Sequence, residues 1–538
     1  MASEVTTSGG SAPLAHAMGK ERKKLKKVLS RFDLICFTIS AFIALDTYAV
    51  TAAYGGGQVV VWIVFGLILY LVPSGLISAE LGAAFPVEGG PYSWTRMAFG
   101  RYAGALTATF YWMANPTWMG GTLAAVTVGT LSSGLMFHTT IGTFWSIVIG
   151  VIVVWAIVGL SIIEVKWGRW TGIIGTAVRI VTLALFMILV AWFLIKNGKP
   201  AGAVTWSDMA PTLTGFLAVI GLIQFLFVGF ELASNASEEM HNPKRDVPAM
   251  ILRSGIYSTL IALAFIFGIL LILPGDKLAN ATGFPDAYAA VSGVLGGAQG
   301  VIGWILGILI ILTLLSSGGV WLQGAARTQA VAGLDGAAPL WLGKFSKAGT
   351  PLAMNIVSAI VGSAFVIMVF TMASGSLASF FGVMLSIVVS LTALQYLLIM
   401  PSVIMLRKKY PDRPRPYRIP GGAVVMWLCV IATEFIIILT AIALLWPGAL
   451  EWSLGRSYDM QTNWGTSRAF FEEVTLGTLA LVIIMATVFW WVGKRNLAKG
   501  VVGESDLLAV ATPAPATGVA LGIEPAPGTE PGPSAVVE

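Results

Sequence analysis

The sequence predicts an all-α integral membrane protein of about twelve transmembrane helices. Three observations predict it. Only 11% of the 538 residues are Asp, Glu, Lys or Arg, against about 25% in soluble proteins. Runs such as Val59–Ala79, Phe144–Ile163, Ser254–Leu273 and Leu377–Leu406 carry no charge, and roughly twenty such residues span a bilayer as a helix. With the N-terminus placed in the cytoplasm, 26 of the 32 Lys and Arg fall on the inner side, five on the outer side, and Arg179 alone inside a span. That bias is the positive-inside pattern. A soluble enzyme, a nucleic-acid binder and a disordered scaffold are excluded. A β-barrel is disfavoured, because barrel strands alternate polar and apolar residues. The net charge of +6 then belongs to topology and lipid headgroups, with no nucleic acid partner.

The apolar windows run at 32–54, 59–84, 102–130, 141–163, 170–195, 212–235, 250–274, 298–323, 352–373, 377–406, 423–446 and 474–493. They are called spans 1 to 12 below. Residues 1–31 read as a basic cytoplasmic tail, 32–495 as the membrane domain, and 496–538 as a Pro/Ala/Gly-rich, disordered cytoplasmic tail. No cleavable signal peptide is visible before span 1. The expected location is the cell (plasma) membrane, multi-pass, with both termini cytoplasmic. Cys36 and Cys429, and His16, His138 and His241, are scattered. No metal site, cofactor or disulfide framework is expected from that spacing.

In hydrocarbon every backbone group needs an internal partner, so irregular points in a span mark a cavity or a binding site. Span 1 carries Ala44-Leu45-Asp46-Thr47-Tyr48 and then Gly55-Gly56-Gly57. Span 6 carries Phe227-Val228-Gly229-Phe230-Glu231. Asp46 and Glu231 are intramembrane carboxylates beside expected unwinding, and are read as functional. Asn115-Pro116 in span 3 reads as a kink or a break. Ser316-Ser317-Gly318-Gly319 in span 8 reads as a break or a small-residue helix contact. Glu434 in span 11 stands alone and reads as a packing residue. Arg179 in span 5 is a fixed positive charge, placed to pair with a carboxylate or to snorkel. Glu80 and Arg96 are a candidate inner-gate pair, against simple solvated loop charge.

Four stretches resemble signatures of the amino acid–polyamine–organocation (APC) superfamily. AELGAAFPVEGGPYSWTRMAFG (79–100) is similar to its connection from helix 2 to helix 3. LFVGFELASNASEEMHNPKRDVP (226–248) is similar to its helix 6 Gly-Phe-Glu with the following Glu-Glu-x-x-Asn-Pro. AARTQAVAGLDGAAP (325–339) and PDRPRPYRIPGG (411–422) are similar to its segments after helix 8 and before helix 11. The resemblance covers about residues 30–495 and implies an amino acid permease-like protein. It implies a five-plus-five inverted-repeat (LeuT-like) fold with helices 1 and 6 broken, and cargo bound midway between them. A homodimer is compatible with it.

The implied substrate-binding residues are Asp46, Thr47, Tyr48, Asn115, Phe225, Gly229, Phe230 and Ser316. The implied coupling residues are Glu231, Asp46 and Arg179. Gly229 and Glu231 match the Gly-x-Glu of helix 6, where a glutamate of related exchangers is implicated in proton sensing. Arg179 falls near a position where a proton-coupled relative carries a lysine that mimics sodium; an arginine supplies the charge without a releasable proton. Members usually carry Gly-Ser/Thr-Gly-Ile-Phe at the break of helix 1. Ile43 to Tyr48 lacks the glycine, so Asp46 reads either as an amine ligand or as a proton carrier.

The expected function is secondary transport of amino acids or related amines by proton symport or by exchange, with alternating access. A polyamine or diamine transporter and a non-transporting amino-acid receptor are the alternatives. No P-loop occurs. An enzyme is not expected, because no metal cluster and no nucleophile–base pair is visible.

Overall fold

The computed structural model describes residues 31–498, apart from 44, 163–164, 199, 201–204, 206, 233–242, 274–282, 348 and 373–376. The two tails and the Glu238-Glu239 part of the span 6 motif lie outside the described residues. Nine of the described helices are long and apolar enough to cross a membrane.

Span 1 divides into α1 (Arg31–Phe42) and α2 (Leu45–Gly55). Ile43 donates the last ladder bond of α1, to Ile39 O at 3.1 Å. A short turn at Gly56–Gln58 leads into α3 (Val59–Gly66), a π-helical turn at Leu67–Leu71, and α4 (Val72–Ala84). α5 (Gly90–Phe99) follows the loop at Pro86–Gly89, and its cap Gly89 takes the left-handed φ of 71°. α6 (Arg101–Trp118), a second π turn at Met119–Leu123 and α7 (Ala124–Ser132) form span 3. α8 (Thr143–Ile162) and α9 (Val165–Asn197) are spans 4 and 5.

Span 6 begins with α10 (Leu213–Leu226), capped by Thr212, whose side chain accepts from Gly215 N. Past Leu226 the backbone turns, and Gly229 takes a φ of 104°. α11 (Pro243–Ile272) opens on a proline, whose missing N–H costs nothing at a helix start. α12 (Gly283–Ser292) precedes α13 (Gln299–Leu334). α14 (Leu352–Met372), α15 (Leu377–Ile399), α16 (Ser402–Lys409), α17 (Gly422–Leu445), the short α18 (Ala449–Ser453) and α19 (Met460–Trp464), and α20 (Arg468–Ala498) complete the chain.

At two of the expected irregularities the backbone stays helical, in line with the blander of the two readings of each. α6 runs unbroken through Pro116, and a π turn follows it at Met119–Leu123. α13 is continuous across Ser316–Gly319. There a Cβ on Gly318 would stand 2.7 Å from Ile157 Cδ1, and Ser161 Oγ donates to Gly319 O at 3.3 Å. The small residues let α8 and α13 approach closely, which is the packing reading of that stretch.

The basic segments knit one face of the bundle together, but not in the pairing the sequence suggested. Glu80 does not pair with Arg96. It accepts from Arg407 Nε at 2.7 Å and Nη2 at 2.5 Å, and from the Ile419 backbone N–H at 2.8 Å, with Arg415 3.5 Å away. Arg96 donates to Asp335 at 2.8 Å. The fully buried Asp335 carboxylate also accepts from the Tyr92 hydroxyl at 2.5 Å, and Arg101 lies 3.6 Å away. Arg327 donates to Glu88 at 3.0 Å. Partners so distant in sequence offer no spacing from which the pairs can be read.

Asp335→Ala leaves Arg96 and the Tyr92 hydroxyl without their acceptor. Breaking a buried pair costs about 3–5 kcal/mol. The detergent-solubilised variant is expected to melt several degrees below the wild type, as followed by its thermal unfolding.

Candidate functional site

The broken helices meet around a small cavity of about 30 Å³, room for roughly two or three water centres. α1 reaches it with Ala41 and Phe42, and span 6 with Phe225 and Val228. α6 contributes Tyr111, Ala114, Asn115 and Trp118; α13 contributes Trp321; α15 contributes Val388, Thr392 and Gln395. Aromatic rings form much of the wall: Trp321 lies 6.4 Å from Tyr111 and 6.5 Å from Trp118, centroid to centroid. Among the described residues, no charged side chain lines the cavity. Two of its polar side chains have atoms without a partner among the described residues. Both amide atoms of Asn115 are buried and unbonded, as is Gln395 Oε1. Buried polar groups are normally satisfied, so these atoms mark where a ligand or water would bond.

The carboxylates stand one layer behind the wall. Asp46 lies in the first turn of α2, where free backbone N–H groups and the positive end of the helix dipole favour an anion. Trp118 Nε1 donates to its Oδ2 at 2.8 Å, while Oδ1 has no partner. Glu231 is fully buried and accepts from the Tyr111 hydroxyl at 2.8 Å. The ring that bonds each carboxylate is thus itself a cavity wall.

Arg179 is fully buried and does not snorkel. It bridges three helices: it donates to Ser40 Oγ at 2.6 Å, to Thr313 O at 3.3 Å, and to Ser317 Oγ. Beside it, Thr176 Oγ1 donates to Cys36 O at 2.7 Å. A guanidinium therefore fills the junction of α1, α9 and α13 and bonds a backbone carbonyl and two hydroxyls. Asp46 lies within its electrostatic reach.

Of the sequence-derived binding residues, Asn115 and Phe225 line the cavity. Gly229 shapes it from behind: its φ of 104° suits glycine, and a Cβ there would stand 2.9 Å from Trp321 Cζ2. Thr47 is buried in α2, where its carbonyl accepts from Thr51 Oγ1 at 2.7 Å. Tyr48 packs on Phe265 of α11, centroids 5.6 Å apart. Phe230 stacks on Tyr396, centroids 5.8 Å apart. Ser316 packs against Gly175 at the α9–α13 contact. Sequence reasoning missed Tyr111, Trp118, Trp321, Thr392 and Gln395. For Tyr111 and Trp118 a signal existed, since they sit four and three residues from Asn115, on adjoining helix turns.

A second chamber, of about 210 Å³, lies beyond the C-terminal end of α2, next to Thr214, Leu217, Leu385, Glu451 and Arg456. It faces away from the ion-paired basic segments. Arg456 donates to Thr214 Oγ1 across its mouth. The bundle is thus tied on the basic face and hollow on the other.

A cavity between the break of span 1 and the turn that ends α10, inside an apolar bundle, resembles the binding site of a membrane transporter. Residues 29–453 match the family model described as amino acid permease, and the chain belongs to that family. It is similar to a probable agmatine/putrescine antiporter, AguD, of Lactococcus lactis: 30% identity, over 78% of this chain and 88% of the relative. It is similar to an uncharacterized transporter of Legionella pneumophila, with 27% identity over 75% of this chain and 86% of the relative. The branched-chain amino acid permease BcaP of Bacillus subtilis shows 27% identity, over 77% of this chain and 88% of the relative. Among solved structures, a manganese transporter mutant of Eremococcus coleocola shares the fold. Its TM-score is 0.54 at 13% identity, covering 92% of this chain and 99% of that one.

Gly229→Ala forces a side chain into the left-handed region and against Trp321. Uptake by this variant in proteoliposomes is expected to fall to background while the protein elutes as folded in size-exclusion chromatography.

Proposed function

We propose that this chain is a secondary transporter of amino acids or related amines in the cell membrane, and that an amine head group fits its cavity best. The observation that carries this reading is the position of Asp46. The positive end of a half-helix is the natural seat for a cargo carboxylate. Here the first turn of α2 already holds the protein's own carboxylate. Among the described residues, no basic side chain lines the cavity to take a second one. An ammonium finds aromatic faces in Tyr111, Trp118 and Trp321, acceptor oxygens on Asn115 and Gln395, and negative charge behind two of those rings. The similarity to a probable agmatine/putrescine antiporter agrees with this choice.

Twelve crossings with cytoplasmic termini, an inverted repeat and alternating access complete the reading. The ion pairs that tie the basic face, with a chamber on the other, suit a conformation closed toward the cytoplasm. Arg179 supplies a fixed positive charge at the α1–α9–α13 junction, where it would repel sodium. Coupling then rests on a proton at Glu231, on exchange for a second amine, or on both. Glu231 suits the proton: it is a buried carboxylate joined to the cavity by a single hydroxyl.

The test is uptake into proteoliposomes of labelled putrescine, agmatine, leucine and glutamate, with an inward proton gradient or with amine inside. The amines are expected to enter and to be stimulated by either condition, and replacing sodium with choline should change nothing. Uptake of leucine or glutamate in preference to the amines would remove Asp46 from amine recognition. A cargo that binds without moving would make the chain a receptor. Glu231→Gln is expected to retain putrescine binding and to flatten the pH dependence of its flux; an unaltered profile would take the proton away from Glu231.

A further inference from the structure

One intramembrane carboxylate stands outside the site just described. Glu434 lies midway along α17, a helix that packs on α15, α10, α4 and the π turn at Leu67–Leu71. Glu434 makes no ion pair among the described residues, and its Oε1 is buried without a hydrogen-bond partner. A bare carboxylate at this depth is costly unless it holds a proton.

The groups around it line up inward, with bridging water needed at the gap from Tyr70 to Glu434, whose Oε1 makes no hydrogen bond among the described residues. Tyr70 is carried by the π turn, an irregularity that recurs at functional sites. It is fully buried and within electrostatic reach of both Glu434 and Glu231. Its hydroxyl accepts from Gln224 Nε2 at 2.9 Å, which leaves its own proton to give. Gln224 Oε1 is buried and has no partner. Tyr396, also fully buried, sits edge-on to Tyr70 with centroids 6.5 Å apart, and stands beside Glu231. Glu231 in turn accepts from Tyr111, a wall of the cavity. Among the described residues, the titratable groups along this path are therefore Glu434 on α17, Tyr70 between α3 and α4, Tyr396 on α15, Glu231 past α10 and Tyr111 on α6. Every one is an acid or a phenol. Two carboxylates in one buried region, with no cation on this path among the described residues, resist being ionised together.

We propose that Glu434 is a second proton-carrying carboxylate of the transport cycle, sharing one proton with Glu231 through Tyr70 and Tyr396. The step conserves charge. The acid at Glu231 gives its proton to the Tyr396 hydroxyl, which passes its own toward Tyr70, and Tyr70 passes its own to the Glu434 carboxylate. One O–H bond forms for each that breaks; Glu231 ends as the anion and Glu434 as the acid. An ammonium against the Tyr111 and Trp118 walls favours ionised Glu231, so cargo binding pushes the proton outward to α17. Cargo release lets it return. The inference rests on the reading of Glu231 as the coupling residue.

The experiment measures the pH profile of gradient-driven putrescine uptake in proteoliposomes for the wild type, Glu231→Gln, Glu434→Gln and Tyr70→Phe. Neutralising Glu434 removes a negative neighbour that favours protonation of Glu231. The Glu434→Gln profile is therefore expected to move to lower pH by about one unit, tenfold in proton affinity, with putrescine exchange retained. Tyr70→Phe is expected to slow gradient-driven uptake more than exchange. A Glu434→Gln profile that overlays the wild type, while Glu231→Gln flattens it, overturns this inference alone. A Glu231→Gln profile that overlays the wild type overturns the coupling reading and this inference with it. If Glu434→Gln does not fold, infrared spectra of Glu231→Gln decide. A buried carboxylic-acid band that is still present and titrates with pH is the expected result, and its absence overturns the proposal.

Discussion

The constraint on which the rest depends is that a chain in hydrocarbon must satisfy its own backbone. α1 stops at Phe42 and α2 starts at Leu45; α10 stops at Leu226 and Gly229 reverses its φ. Each interruption frees N–H and C=O groups that lipid cannot bond. Such points persist only where protein or a polar cavity receives them. Asp46 occupies the freed N-terminus of α2, and Glu231 lies two residues past the glycine that turns span 6. The polar chemistry of the molecule is thereby concentrated where the backbone is interrupted. The continuous spans supply packing and the side chains, such as Asn115, Arg179 and Gln395, that face these points.

Charge within the membrane follows the same logic. Arg179 is held by Ser40, Ser317 and a carbonyl of α13, and among the described residues no carboxylate pairs with it. Its positive charge and the negative charge of Asp46 compensate each other across the break of span 1. On the basic face, Asp335, Glu80 and Glu88 each draw arginines from elements far away in the chain. That face is bound by bidentate and shared ion pairs; at the other end Arg456 bonds Thr214, Gln58 accepts from Thr212, and Arg468 pairs with Glu472.

Much of this was legible in the sequence, for identifiable reasons. Spans are read from runs of uncharged residues because the bilayer imposes one length. Asp46, Glu231 and Arg179 announce themselves because a charge in hydrocarbon is rare. Gly229 follows from a glycine beside an intramembrane acid. The partners of these residues stayed hidden. Trp118 on Asp46, Tyr111 on Glu231 and Arg407 on Glu80 are joined across 72, 120 and 327 positions, and aromatic residues are too common in spans to be singled out. Tyr48, Phe230 and Ser316 sit near the breaks in sequence, yet the rotation of their helices turns them into neighbouring packing. Proximity along the chain gives depth in the membrane but not the side that a residue faces. Glu434 illustrates the converse: alone in its span it looked like packing, and only its neighbours in space give it a path.

The central claim is that cargo sits between the two interrupted helices with its amine against Asn115, Trp118 and Trp321. The measurement that tests it most directly is an experimental structure of the full chain with putrescine bound. Density in that cavity, with an amine nitrogen in reach of the Asn115 amide oxygen and over an indole face, is the predicted result. Putrescine seated only in the outer chamber beside Glu451 and Arg456, with the cavity between the breaks unchanged, would contradict it.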